Sequence, residues 1–237
     1  MAEEFRSSPH IDFNDGRVRN TPETLVEEMV APHSPEEKLE LFECRVDVWQ
    51  LGIAVEMLKQ IEDNEHPSIW SHAAYGLVAL TTSYFEMVGK ILNPAASPWK
   101  GAEKEFNMGF CDVYPEYLPG DGNMKKVRFV DGLRGRLRNG MFHLGYTKRG
   151  LIIHNGPGIE RDFQPVRIEK PGGGYVQAYC VNPHKMTRMI VNHFPSLIDR
   201  IRNAPPEGLW KNFLKFYDEL HDEVPEVLLD DPEPDAK

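Results

Sequence analysis

Residues 34 to 61 read SPEEKLELFECRVDVWQLGIAVEMLKQI, and the fold class follows from this stretch. Ser34 supplies an N-cap hydroxyl, Pro35 the fixed φ of a first helical position, and Glu37 a carboxylate placed to complete a capping box. From there Leu39, Phe42, Val46, Trp49, Ile53, Met57 and Ile61 recur at steps of three and four, the spacing that lines one face of an α-helix. The pattern predicts one long helix with that face buried.

Outward from this helix the same period returns. After a break at Asn64 to Pro67, a stripe runs through Ile69, Ala73, Leu77, Leu80, Tyr84, Met87 and Ile91, with a second stripe through Trp70, Ala74, Val78, Phe85 and Leu92. A helix apolar on so much of its circumference belongs at the centre of the bundle. Asn93-Pro94 ends it, because proline restricts the residue before it. Residues 95 to 123, with their prolines, a PGDG turn and scattered aromatics, read as a packed irregular connection holding at most a short helix.

A third helix is predicted from about Met124 to about His143, burying Val127, Val130, Leu133, Leu137, Met141 and Leu144 and stopped by Gly145. The period then changes. Leu151 to His154, Phe163 to Glu169 and Tyr175 to Val181, separated by glycine and proline turns, predict short antiparallel strands. Asn182-Pro183 opens a fourth helix carrying Met186, Ile190, Phe194, Leu197 and Ile201, with Pro195 inside it. A last helix carries Leu209, Phe213, Phe216 and Leu220. The expected architecture is mainly α, a helical bundle with a small antiparallel β element inserted at about 151 to 181. An irregular N-terminal arm (1 to 33), a single helical domain (34 to 221) and an acidic C-terminal tail (222 to 237) make up the chain.

The formal net charge of -10 is unevenly distributed: residues 1 to 40 and 219 to 237 hold 18 of the 37 acids but 5 of the 27 bases. The body between them is slightly basic. Within it, Met124 to Arg149 carries eight cations against Asp131 alone, a local surplus that attracts polyanions. Lys125, Lys126, Arg128 and Arg134 are the candidate residues for holding such a polyanion, RNA among them. The three cysteines, Cys44, Cys111 and Cys180, are odd in number and lack CxxC spacing, which points to neither a disulfide framework nor a zinc site. The apolar runs are shorter than the ~20 residues of a membrane helix, and the start MAEEFRSS lacks a basic region followed by an apolar one. A cytoplasmic protein without metal, cofactor or membrane association is expected.

The third helix carries Arg138-Asn139-Gly140-Met141-Phe142-His143. This resembles the signature of the HEPN superfamily (higher eukaryotes and prokaryotes nucleotide-binding domains), in which an arginine precedes a histidine by four to six residues and a polar residue often follows the arginine. The order of helices is also similar, over roughly residues 35 to 221, and the strand-rich stretch departs from the pattern. The resemblance implies a HEPN-like helical bundle and, in many members, a metal-independent ribonuclease acting as a dimer with paired motifs. Other members are non-catalytic.

The chemistry suits the residues. Cleaving RNA without a metal requires removal of the 2′-hydroxyl proton, stabilisation of charge at phosphorus and protonation of the leaving 5′-oxygen. Histidine exchanges protons near neutral pH, and arginine offers a planar fork to phosphate oxygens. Arg138, Asn139 and His143 are therefore the candidate catalytic residues, with Glu86, Arg136 and Tyr146 as supporting candidates. At about 100° per residue an intact helix groups Arg136, Asn139 and His143, leaving Arg138 about 140° from His143. Three readings are open at this point. They are a metal-independent endoribonuclease of toxin or defence type, a non-catalytic HEPN-like module binding a nucleotide or protein, and a structural or adaptor protein whose arginine and histidine stabilise the bundle. A homodimer is expected, with RNA or a nucleotide, and a protein antitoxin or regulatory protein, as further partners.

Overall fold

The computed structural model describes residues 34–63, 67–92, 103–120, 123–144, 150–154, 161–170 and 172–221, the side chains of 49, 62, 63, 67–72, 138–144 and 221 excepted. It begins with the capping box. Ser34 Oγ accepts from the Glu37 amide at 3.2 Å, and Glu37 Oε2 accepts from the Ser34 amide at 2.7 Å, opening α1 (Pro35–Cys44). The helix then passes into a π-helical segment, Arg45–Gly52, and on into α2 (Ile53–Asp63), with Cys44, Arg45 and Ile53 all right-handed helical.

The π segment changes which residues reach the core. Its wider turn advances the buried position from Val46 to Leu51, five residues on, and the stripe continues through Ala54, Leu58 and Ile61. Ile53, expected in the core from an unbroken α period, is instead 50% exposed, while Leu51 is 2% exposed.

Helix α3 (Pro67–Leu92) is central, packing against the π segment, α2, α4, α5, α6, α7 and β1. Leu77, Val78, Tyr84, Phe85, Val88 and Ile91 are fully buried on it. Thr81 and Thr82 are equally buried and return their hydroxyls to the carbonyls of Leu77 and Val78, so the core holds no orphan there.

The expected irregular connection contains a well-packed helix, α4 (Glu103–Val113), which buries Phe106, Asn107, Gly109, Phe110, Cys111 and Val113. Its crossing with α3 is made by backbone. A Cβ on Gly89 would lie 1.7 Å from the Glu105 carbonyl oxygen, and one on Gly109 would lie 1.8 Å from that of Phe85. A 3-10 turn, Pro115–Tyr117, follows. Helix α5 (Met124–Leu144) then buries Val130, Leu133 and Leu137 at 0% exposure.

Strands β1 (Leu151–Ile153), β2 (Phe163–Glu169) and β3 (Tyr175–Val181) form a three-stranded sheet in the order β1-β3-β2. The sheet is mixed rather than antiparallel: β2 pairs β3 antiparallel, but β1 pairs β3 parallel, Leu151 opposite Tyr179 and Ile153 opposite Val181. Residue alternation reports which face is buried, and carries no information on which strand becomes the neighbour. Leu151, Phe163, Tyr179 and Val181 join the core on the inner face. Bonds from Asn182 N to Asp162 O and from Lys170 N to Gly174 O fix the ladder so that even-numbered β2 residues face β3. Pro165 thus directs its nitrogen to the open edge, where the ladder loses no donor.

Asn182 caps α6 (Pro183–Arg202), its Oδ1 accepting from the Lys185 amide at 3.1 Å, and Met186, Ile190, Phe194, Leu197 and Ile201 are buried as their period predicts. α7 (Leu209–His221) closes the bundle with Phe213 and Phe216 against Phe42. Among the described residues, no helix is long and apolar enough to cross a membrane.

Candidate functional site

The motif-bearing helix is fixed to the body from two sides. Val130, Leu133 and Leu137 seat it in the core. On the sheet side Tyr117 stacks on Phe129 at 4.8 Å, Phe129 meets Tyr179 at 5.3 Å, and the Arg136 guanidinium lies 5.0 Å from the centre of the Tyr179 ring. Gly132 makes room for this ladder, since a Cβ there would lie 2.2 Å from the Tyr179 hydroxyl oxygen. Burial raises the Tyr179 phenol above its ordinary value, with Arg136 opposing the shift.

The backbone of α5 is helical through Leu144, so positions 139 and 143 lie one turn apart, and position 143 falls about 20° from Arg136 around the axis. The side chains of Arg138, Asn139 and His143 lie outside the described residues, as does Tyr146. Arg136 is described, and it is engaged. Its Nη1 donates to the Gly132 carbonyl at 3.0 Å, its face covers Tyr179, and its Nε is buried without a hydrogen-bond partner among the described residues. Glu86 lines a groove of about 350 Å³ with Arg45, Phe42, Met87 and Tyr217, among α1, the π segment and α7, and among the described residues none from α5 lines that groove.

The four candidate RNA-binding cations divide. Arg134 pairs with Glu103 on α4 and its side chain is only 14% exposed. Asp131, the lone acid of the basic stretch, is held by the buried amide of Asn107 at 2.7 Å, so its charge is committed to the α4 junction. Arg128 is exposed. Lys125 and Lys126 are brought together with a residue the sequence did not mark: they line a cleft of about 700 Å³ whose other walls include Tyr117, Phe129 and Arg161. Lys126 Nζ donates to the Leu118 carbonyl at 3.2 Å. Asp162, also in the cleft, accepts from the Tyr114 hydroxyl at 2.9 Å; burial raises that buried phenol well above its ordinary value, and the Asp162 carboxylate adds to the shift. Arg161 follows a turn-rich connection 36 positions after Lys125, with no periodic signal to link them.

A second polar cluster joins residues far apart in the sequence, with no local pattern to announce it. Tyr84 Oη and His193 Nδ1 are 2.8 Å apart, His193 Nε2 lies 3.0 Å from Asp112 Oδ2, and Arg200 donates to the same oxygen at 2.8 Å. With Nε2 carrying the proton, His193 donates to Asp112 and accepts from Tyr84, so every group is satisfied. Burial pushes the Asp112 carboxyl upward, but the hydrogen bonds from His193 and Arg200 and the Arg200 charge outweigh it and hold the carboxyl below its ordinary range. Burial also drives the Tyr84 phenol far up, with the Asp112 charge adding to it. Tyr84 is fully buried, and the relay ties α3, α4 and α6 together, running from that buried phenol out to the exposed Arg200. Cys111, close by in sequence, is also buried, its thiol pushed up to about 12 by desolvation first and neighbouring carboxylates after it. Such a thiol is a poor nucleophile.

Compared with family models, with curated proteins and with solved structures, the chain finds no match in any of the three.

Proposed function

We propose that this chain is a HEPN-like protein that acts on RNA as a metal-independent endoribonuclease, with Arg138 and His143 as its reacting groups and Asn139 beside them. The observation that carries the reading is the course of α5. One helix joins the exposed cations of its first turns to the motif in its last, so a strand held at one end runs toward the other. His143 in the last turn sits at the negative end of the helix dipole, which favours its protonated form and suits it to give a proton to the leaving 5′-oxygen. Attack of the 2′-oxygen forms a bond to phosphorus as the bond to the 5′-oxygen breaks, leaving a 2′,3′-cyclic phosphate and a 5′-hydroxyl. Arg138 neutralises the charge on the phosphoryl oxygens. One arginine and one histidine are few groups for a reaction that moves two protons, so the motif acts in pairs across a homodimer, the second His143, unprotonated, taking the 2′-hydroxyl proton as the first gives its own to the 5′-oxygen.

The second reading, a non-catalytic HEPN-like module binding a nucleotide or a protein, draws support from Arg136. The cation that helical geometry groups with Asn139 and His143 is stacked on Tyr179 instead of being offered outward. Purified protein incubated with mixed RNA, with and without chelator, separates the two. Wild type should cleave equally in both, His143→Ala should lose cleavage but keep RNA binding, and Arg138→Ala should lose about 2 to 4 kcal/mol of transition-state stabilisation. Intact RNA with folded, RNA-binding wild type favours the module. Unchanged cleavage by folded His143→Ala removes the site assignment.

A further inference from the structure

We propose that the cleft formed by Tyr117, Lys125, Lys126, Phe129 and Arg161 is the phosphate-anchoring subsite for an RNA strand, and that it sets a minimum substrate length. This inference rests on the reading of the chain as an RNA-acting protein and deepens it.

The argument begins with how the described cations are used. Lys38, Lys59, Arg134, Arg200, Arg202, Lys211 and Lys215 each lie within 4.0 Å of a carboxylate oxygen. Their charge is largely answered within the fold. Around the cleft three cations converge without such a partner: among the described residues, Lys125, Lys126 and Arg161 form no ion pair, although Glu116 and Asp162 share the same walls. Asp162 is already held by Tyr114, and Lys126 spends one proton on a backbone carbonyl and keeps two. Cations left without carboxylate partners around a concave space of about 700 Å³ are suited to an anion from outside. The wall between them is aromatic, from Tyr117 and Phe129, and Met189, 40% exposed, adds an apolar edge. Phosphate oxygens meeting the cations while sugar and base edges meet this wall is the chemistry of a nucleotide strand rather than of a bare anion.

The cleft lies at the opposite end of α5 from the motif. Lys125 and His143 are eighteen residues apart on one helix, about 27 Å at about 1.5 Å per residue. A stacked strand advancing about 3.4 Å per nucleotide covers that distance in about eight nucleotides. A strand shorter than this reaches one end only.

The test is equilibrium binding of single-stranded RNA of four and twelve nucleotides to the full chain, with Lys125→Glu/Arg161→Glu as the cleft variant and Lys211→Glu/Lys215→Glu as a charge-matched control on α7. Wild type should bind the twelve-mer at least tenfold more tightly than the four-mer. The cleft variant should lose at least tenfold on the twelve-mer, with the slope of log affinity against log salt falling by about 1.4, two phosphate contacts at roughly 0.7 each. The control should change affinity less than threefold. Equal losses in variant and control, or affinity independent of length, overturn the subsite while leaving RNA action in place. Failure of folded wild type to bind either RNA at low salt overturns both.

Discussion

Helices α4 and α5 are both anchored to the body through glycines, yet the two junctions are built from different material. At the α3–α4 crossing the space a side chain would need is occupied by carbonyl oxygens, Glu105 O over Gly89 and Phe85 O over Gly109. At the α5–sheet junction the space over Gly132 is occupied by the hydroxyl end of Tyr179. Backbone in a packed helix pair moves only if the helices separate, whereas a ring end moves by rotation. The α4 side therefore behaves as a fixed frame, and the α5 side, where the proposed RNA site lies, as a surface whose contacts tolerate adjustment.

The sharpest way to break this comparison is Gly109→Ala. Alanine gains about 1 kcal/mol over glycine in helix propensity, but a methyl 1.8 Å from a backbone oxygen forces the crossing apart. We expect a net loss of at least about 4 kcal/mol, seen as a collapsed urea midpoint or insoluble protein. A variant melting like wild type would mean the crossing is not close-packed.

A smaller effect is expected at the relay that ties the same frame to α6. Asp112→Asn should cost about 2 to 3 kcal/mol at pH 7, because two hydrogen bonds to a carboxylate are weakened. The pH dependence has a definite sign. Asp112 is held below the ordinary carboxylate value when folded, so its contribution is fully present above the unfolded value of about 3.9 and is lost as pH falls through the folded one. Urea melts at pH 7, 5 and 3 should show the gap between wild type and variant shrinking only at the acid end. A gap that opens at low pH would refute the assignment.

The smallest effect belongs to Gly132→Ala. Here the propensity gain of about 1 kcal/mol is offset by displacing the Tyr179 hydroxyl, and stability should stay within about 1 kcal/mol of wild type by the same melts. A loss as large as that at Gly109 would place both junctions in one class.

The sequence was most informative where a local rule had no competitor. The caps at Ser34 and Asn182 and the buried stripe of α6 are fixed by neighbours within a few residues, and the structure has them as read. The outcome at Ile53 was illegible because an α period is assumed in tracing a stripe, and a π turn re-phases it without altering residue types. Helix α4 was obscured by the prolines and the PGDG turn around it, and its Gly109 is a contact surface that only the fold reveals. The same holds for the site. Lys125, Arg134 and Arg136 look alike as cations of one helix, but only tertiary partners distinguish them: Glu103 takes Arg134, Tyr179 takes Arg136, and Arg161 joins Lys125 from a distant turn.

Pro165 has a consequence for how copies of this chain meet. The outer edge of β2 is where another strand would add, and at its third residue that edge offers a carbonyl but no N–H, with Arg167 and Glu169 two and four residues further on. A visiting strand would find its hydrogen-bond ladder interrupted and would have to desolvate charged neighbours. The sheet is thereby protected against runaway polymerisation through this edge.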